Sequence, residues 1–309
     1  MAEPSGRLIE WTGERCVPWS DEVQGIYEHL HRYHFAASLA EGKHVLDLAS
    51  GEGYGSAILA RRAKSVVGLE LDPTSVAHSR SAYARPSLEF VEGSMLELGA
   101  YADGSFDLVV CFEAIEHVRE QDELLAGIAR VLNPGGVAVL STPERDEYNA
   151  VIHETNPFHV RELAHAEFVD LLRARFEHVA LWGQTGVAGS RLARLDDAAE
   201  TLDTAEVVAV RRDGEWLDDE RVPPTYLIAT ASRAPLSSLP ARSYLVDPTR
   251  EAQRVRDMQA RQRERKIAEL KAENASLWRE NERFRQGGMR RPLRRLFRKL
   301  RAGLRDVRA

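Results

Sequence analysis

The chain reads as an α/β protein, a mostly parallel seven-stranded sheet with helices on both faces. Two observations predict this. Short apolar runs alternate with helix-length segments from His44 to Ser141. A glycine cluster, Gly51, Gly53 and Gly55, follows the first run where a strand would turn into a helix. Such alternation implies parallel strands joined by crossovers.

Residues 1–41 are expected to form an N-terminal cap, with a helix over Glu28–Leu39 ending near Gly42. His44–Leu48 is the first buried strand, and a helix from about Ser56 to Ala63 leads to the second, Ser65–Glu70. A helix over Pro73–Tyr83 precedes the strand Leu88–Val91. Phe106–Cys111 is the fourth strand, followed by a helix over Asp122–Leu132. The turn Asn133-Pro-Gly-Gly then opens the strand Gly136–Ser141. Glu162–Arg175 reads as a helix, and Glu177–Gly183 and Pro224–Ala231 as a last, antiparallel edge pair. The acidic stretch between those two gives no clear pattern. The α/β domain thus covers 42–235, and residues 236–248, bounded by Pro235 and Pro248, form a linker.

Residues 249–286 contain neither Pro nor Gly. Ile267, Leu270, Asn274, Leu277, Asn281 and Phe284 fall at alternating spacings of three and four, a short coiled-coil seam that predicts a homo-oligomer. A solvated single helix is the alternative. Gly287-Gly288 breaks that helix, and Leu293, Leu296, Phe297, Leu300, Leu304 and Val307 then share one face, with arginines on the other. The segment 287–309 carries eight Arg and one Lys against one Asp, so +8 of a net −6, which leaves −14 on the remainder. A basic amphipathic tail suits an anionic membrane surface. Nucleic acid competes for the same arginines but does not need the apolar stripe.

The composition, 43% hydrophobic and 29% charged, fits a soluble protein. Two cysteines, Cys16 and Cys111, exclude a disulfide framework and predict a reducing compartment. No run of about 18 apolar residues spans a membrane, and Met1–Arg7 lacks a signal-peptide apolar core. The expectation is a cytoplasmic protein, peripheral on the inner face of the plasma membrane through its tail.

Two constellations carry chemistry. The loop Asp47-Leu-Ala-Ser-Gly51-Glu-Gly53-Tyr-Gly55 lets backbone approach a ligand at a helix N-terminus. Glu70, 23 residues beyond Asp47, stands at a strand end where a carboxylate can hold both hydroxyls of an adenosine ribose. The second constellation is Glu113-Ala-Ile-Glu116-His117. On a helical turn, positions i, i+3 and i+4 share a face, so two carboxylates and an imidazole point at one spot. Oxygen-rich ligands with nitrogen suit Mg²⁺ or Mn²⁺. His159 in Asn156-Pro-Phe-His159 could supply a fourth ligand.

Taken together, Val45-Leu-Asp-Leu-Ala-Ser-Gly-Glu-Gly, Phe106-Asp-Leu-Val-Val-Cys and Leu132-Asn-Pro-Gly-Gly-Val-Ala-Val-Leu-Ser-Thr-Pro resemble the motifs of class I S-adenosylmethionine-dependent methyltransferases, over roughly residues 42–183. Ala49 stands where that family usually has Gly. The resemblance implies a Rossmann-like fold and S-adenosylmethionine as cofactor, with contacts from Asp47, Ala49, Gly51, Gly53, Glu70, Leu71, Ser94, Met95 and Phe112. Gly51 and Gly53 would line the methionine part, Glu70 the ribose, and Ser94-Met95 the adenine. A dehydrogenase is the rival reading of the glycine loop, but no second motif supports it.

Glu113, Glu116, His117 and His159 resemble the metal site of small-RNA 3′-terminal 2′-O-methyltransferases, and quinone-biosynthesis O-methyltransferases show a similar cluster. A metal-free structural turn is the other reading of Glu116-His117. His117, His159 or His153 is the expected proton acceptor. Thr12-Gly-Glu-Arg15-Cys-Val-Pro18 with the Glu28–Ala36 segment is similar to the N-terminal part of bacterial methyltransferases of surface-polysaccharide synthesis. By that likeness Arg32 and Tyr33 reach the cofactor carboxylate or close the cleft; packing over the sheet edge is the alternative. The layout of catalytic domain, coiled coil and basic end resembles O-antigen chain-terminating methyltransferases. The expected activity is O-methyl transfer to a saccharide hydroxyl of a polysaccharide or lipid-linked glycan. RNA ribose 2′-O-methylation and a membrane-docked scaffold are the alternatives.

Overall fold

A computed structural model describes residues 16–18, 23–152, 156–186, 209–212, 215–218, 223–236, 239–245 and 251–286. Thr12 to Arg15, His153 and the basic segment 287–309 lie outside the described residues.

The chain begins with α1 (Val23–Ser38), then alternates β1 (His44–Leu48), α2 (Tyr54–Leu59), β2 (Ser65–Glu70), α3 (Pro73–Ala82), β3 (Leu88–Glu92), β4 (Phe106–Phe112), α4 (Gln121–Val131) and β5 (Leu132–Pro143). It continues through α5 (Arg145–Ile152), α6 (His165–Arg173), β6 (His178–Gln184), a hairpin of β7 (Ala209–Arg212) and β8 (Glu215–Asp218), and β9 (Tyr226–Ser232). The main sheet has seven strands in the order β3-β2-β1-β4-β5-β9-β6. The pairs from β3 to β5 are parallel, while β9 runs antiparallel to both β5 and β6. The expected antiparallel pair is therefore present, but β9 is inserted beside β5 and β6 forms the edge.

Alternation along the strands decides which residue meets which helix layer. Leu46, Val109, Ala138 and Leu140 join one buried cluster with Leu124, Leu125 and Ile128 of α4 and Phe168 and Leu172 of α6. Val45, Leu108, Val110 and Val139 join the other, with Phe35 and Ala36 of α1 and Ile58 and Leu59 of α2. Both faces are covered, as parallel strands require.

Local signals explain most boundaries. Asp72 caps α3, accepting from the backbone N–H of Thr74 and Ser75, with Pro73 at the first helical position. The Asn133 side chain closes its turn by accepting from Gly135 N at 3.0 Å. Two elements were not foreseen. The β7–β8 hairpin lies in the acidic stretch. The helix α5 is held by Glu144, which is buried; one of its oxygens accepts from Asp146 N and Glu147 N, and the other from His165 N at the start of α6. One carboxylate thus satisfies the first turns of two helices.

A separate unit, 248–309, contains α7 (Glu251–Gln286), one continuous helix of 36 residues. The helix covers nearly all of the expected 249–286. Ile267 and Trp278 are exposed on it. Among the described residues, no helix is long and apolar enough to cross a membrane.

Asp47 is fully buried at the middle of the sheet, where Ser56 Oγ donates to it at 2.6 Å and Tyr33 Oη at 3.3 Å. Burial, only partly offset by those hydrogen bonds, raises its pKa from 3.8 to about 7. The folded state therefore keeps a proton that the unfolded chain releases, and stability falls as pH rises from about 4 to 7. We expect Asp47→Asn to flatten this slope, removing about 2–3 kcal/mol of the loss between pH 5 and pH 8. Urea unfolding at the two pH values checks it; equal slopes in both proteins would refute the assignment.

Candidate functional site

Strand order reverses between β1 and β4, which both neighbour one another and lead to opposite halves of the sheet. Crevices at such a point, outside the carboxyl ends of the strands, are where open α/β sheets bind ligands. The loop after β1 and the turn after β4 both emerge there.

The first loop is held in a strained shape. Gly51 and Gly53 have φ of 57° and 97°, and Ala49 has φ of 53°. A left-handed alanine costs roughly 1–2 kcal/mol, which explains why glycine would be the easier residue there. Gly53 has no room for a side chain, since a Cβ would come within 2.7 Å of Ser79 Oγ and 2.9 Å of Phe90. Glu70 braces the loop: one carboxylate oxygen accepts from Gly51 N at 2.8 Å, the other from Asp72 N at 2.9 Å. A carboxylate has about four acceptor sites, so Glu70 retains capacity for a diol. Leu71, next in the chain, is 69% exposed. Ser94 and Met95 follow β3, which pairs with β2 up to Glu70 and Glu92. Glu70, Leu71, Ser94 and Met95 therefore stand along one sheet edge. This arrangement fits an adenosine: a carboxylate for the ribose, exposed apolar surface for the base, and left-handed glycine backbone beside it. Ser50 Oγ, buried in the same loop, has no hydrogen-bond partner among the described residues.

Tyr33 does not face solvent. It is buried between Tyr54 and Phe112, edge-on to both, with its hydroxyl toward Asp47. A Cβ on Gly55 would come within 2.0 Å of its ring, so Gly55 exists to admit Tyr33. Arg32 is also buried, at 2% exposure. Its Nε donates to Gln184 Oε1 at 2.7 Å, its guanidinium lies 4.3 Å over the Tyr226 ring, and Nη1 is 3.4 Å from Glu113 Oε1. Among the described residues, Nη1 and Nη2 have no hydrogen-bond partner.

The turn after β4 departs from the helical expectation. Glu113 has φ of 46°, and only Ile115–His117 form a short 3₁₀ turn. Glu113 is consequently off the face shared by Glu116 and His117. Its carboxylate accepts from Ser141 Oγ at 2.7 Å and pairs with Arg32. The remaining expected ligands do converge: ligand atoms of Glu116, His117 and His159 lie within 4.8 Å of one another. His159 arrives from a distant segment because backbone bonds stitch that segment down. Glu116 O accepts from Val160 N at 2.8 Å and Arg161 N at 3.0 Å, and Gln121 Nε2 donates to Ile115 O and Arg161 O.

Partners fix both imidazoles. His117 Nδ1 is 3.0 Å from Phe158 O. A carbonyl only accepts, so Nδ1 carries the proton and Nε2 the lone pair of the neutral ring. His159 Nδ1 is 2.6 Å from Glu162 Oε1, and its Nε2 is 3.0 Å from Asn156 Nδ2. Glu116 is fully buried, with Oε2 accepting from Thr142 Oγ1 at 3.3 Å and Oε1 unpartnered. Burial, reinforced by the nearby Glu113 carboxylate, pushes its pKa well above the usual carboxylate range.

Several participants were not foreseen. Ser141 and Thr142 end β5 and orient the two carboxylates, Glu162 orients His159, and Tyr148 of α5 lies beside His159 with ring centroids 5.6 Å apart. The Ser-Thr-Pro at the end of an apolar strand was the visible signal for the first two. Nothing in the sequence marked Tyr148 or Tyr226.

Comparison with known proteins gives the site its setting. A family described as a methyltransferase domain matches residues 46–140. The chain is 36% identical over 223 residues to a Mycolicibacterium smegmatis protein named "Probable S-adenosylmethionine-dependent methyltransferase", covering 70% of this chain and 85% of that one. It is 36% identical over 107 residues to the ubiquinone biosynthesis O-methyltransferase of Hahella chejuensis, covering 34% of this chain and 45% of that one. A chain of the Haloferax volcanii complex of the Trm112 methyltransferase activator with a methyltransferase shares the fold, with TM-score 0.50 and 20% identity over 71% of this chain and 96% of that one. With a curated relative matched over most of its length and the family's domain spanning the loop, Glu70 and β4, the chain belongs to the S-adenosylmethionine-dependent methyltransferases.

Proposed function

We propose that this methyltransferase acts on a hydroxyl oxygen of a saccharide, in a polysaccharide or lipid-linked glycan, with the help of Mg²⁺ or Mn²⁺. The convergence of Glu116, His117 and His159 beside the cofactor loop carries this reading. S-adenosylmethionine supplies an electrophilic methyl group on a sulfonium. The chain's own task is to present an oxygen to it, in line, and to manage that oxygen's proton.

The residues fit a divalent ion. Glu116 offers a buried oxygen without a partner. Both histidines have the Nδ1 side anchored on an oxygen, the outer-shell arrangement that orients metal-ligating imidazoles, and His159 Nε2 would exchange its contact with the Asn156 amide for the ion. Glu116, His117 and His159 would hold the ion, and Glu113, paired with Arg32, would stand beside it rather than bind it. Such an ion lowers the pKa of a hydroxyl set next to it, which a sugar alcohol needs and an amine does not. Glu113, with Ser141 fixing its carboxylate, is then placed to accept a hydrogen bond from the acceptor.

A metal-free version of the same transfer rests on the Glu162–His159 pair, in which an oriented imidazole takes the proton as a general base. The relative named for ubiquinone biosynthesis makes a quinol the competing acceptor class. Residues 251–286 would pair two or more copies, and the basic segment 287–309 would meet an anionic membrane where lipid-linked acceptors lie. The cytoplasmic face is the corresponding location.

Labelled S-adenosylmethionine offered to a lipid-linked glycan extract, a quinol and total RNA, with and without EDTA, tests the reading. We expect glycan labelling that EDTA abolishes and Mg²⁺ or Mn²⁺ restores. EDTA-insensitive labelling favours the general base and removes the ion; labelling confined to the quinol or to RNA overturns the acceptor. Glu162→Gln should lower transfer about 10–100-fold by loosening His159 while leaving cofactor affinity unchanged. For the cofactor site, Glu70→Ala should weaken S-adenosylmethionine binding by about tenfold or more, as loss of charge-assisted hydrogen bonds predicts. Calorimetry reads that directly, and wild-type affinity would remove Glu70 from the ribose site.

A further inference from the structure

The face of the sheet covered by α1 holds a cavity of about 420 Å³. The end of β6 and the start of β9 form one wall, through Leu181–Thr185 and Ile228, and α1 forms another, through His31, Arg32 and Phe35. The segment 241–244 closes it. That segment is pinned on both sides: Trp182 Nε1 donates to Pro240 O at 3.0 Å, and His31 Nε2 is 2.9 Å from Ser243 Oγ. Trp182 is in turn set edge-on to Phe35, with centroids 5.1 Å apart.

The chemistry of the lining is one-sided. Arg32, Arg242 and His31 contribute positive or protonatable groups, Trp182, Tyr244 and Phe35 contribute rings, and among the described residues no carboxylate lines the cavity. This is unexpected in a body whose residues 1–286 carry a net −14. Glu28 and Glu113, the carboxylates that act on or pair with Arg32, do not line the cavity. Arg32 is buried in the wall, so it supplies charge in a low-dielectric setting, while Arg242 and His31 stand at the more exposed rim. Its influence is felt at His31, whose pKa is lowered by burial and then by Arg32. Rings with a fixed cation field suit a cyclic ligand that carries an anion.

We propose that this cavity is a second subsite that takes an anionic sugar ring, bearing either a carboxylate or a phosphate ester, as part of the acceptor. Arg32 forms the partition between this subsite and the Glu113 carboxylate at the reaction cluster, so one acceptor could be held at both places. The acceptor role presupposes the saccharide methylation proposed above, whereas binding of the anionic ring does not.

The test is ¹⁹F NMR of the full chain carrying 5-fluorotryptophan, with no cofactor or metal added. The Trp182 signal is assigned with Trp182→Phe. Glucuronate, glucose 1-phosphate, glucose and inorganic phosphate are titrated separately. We expect the Trp182 signal to move with glucuronate or glucose 1-phosphate, the stronger of the two naming the anion, and not with glucose. Arg242→Gln, on the exposed segment, should weaken that response about tenfold or more. No movement with either anionic sugar, equal movement with glucose, or a response indifferent to Arg242→Gln overturns the site. Inorganic phosphate binding as tightly as glucose 1-phosphate overturns the sugar-ring part. Because the readout is binding, a failed methyl-transfer assay and a failed titration point to different errors.

Discussion

Everything at the functional edge depends on the reversal of strand order between β1 and β4. These two strands are neighbours, yet the chain leaves them in opposite directions, and the gap between their crossovers cannot be filled by a helix. The loop after β1 and the turn after β4 are thereby forced side by side. One carries left-handed backbone at Ala49, Gly51 and Gly53, strained at the alanine, and the other is strained at Glu113. Such strain persists only where surrounding bonds over-determine it. Here Glu70 holds the first loop through Gly51 N, and Ser141 holds Glu113 through both its carboxylate and its backbone N–H. The bracing residues come from β2 and β5, the outer neighbours of the reversal, so the sheet itself sets the two loops at a fixed separation.

The parts of this arrangement legible in the sequence were those with local causes. Strand β1 and strand β2 fall at the expected residues because apolar runs bounded by glycine or proline define their own ends. The helix α3 starts where Asp72-Pro73 says it must. Glu70 was legible because its distance from the glycine loop is set by one βαβ unit. What could not be read were features whose cause lies elsewhere in the chain. Helix α5 depends on Glu144, whose other oxygen serves α6. Arg32 finds Gln184 across 152 residues of sequence. Glu113 was expected on a helical face with Glu116 and His117, but spacing alone does not determine φ. The chain there turns left-handed to reach Ser141, and the i, i+3, i+4 face never forms beyond Ile115–His117.

The unequal fate of the two carboxylates follows from that turn. Glu113 points to Arg32 and a serine, where its charge has a partner. Glu116 is buried beside it with one oxygen unsatisfied, a state that is costly unless a proton or a cation arrives. Burial first, and the nearby Glu113 carboxylate second, push Glu116 toward its protonated form. A cation set among Glu116, His117 and His159 would offset the same burial by taking the place of that proton.

Arg32 connects this electrostatics to the rest of the molecule. Burying a guanidinium is expensive, and a fold that did so only to pack α1 would gain more from a leucine. Three features offset the cost here: the ion pair with Glu113, the amide oxygen of Gln184, and the face of Tyr226. Each comes from a different strand end, β4, β6 and β9 in turn. A single side chain of α1 therefore ties the cap helix to three strands and holds the Glu113 carboxylate in place. The same positive group forms part of the wall of the cavity beside β6. The charge that meets Glu113 on one side thus also faces the cavity on the other, so the guanidinium is shared between two surroundings rather than confined to one.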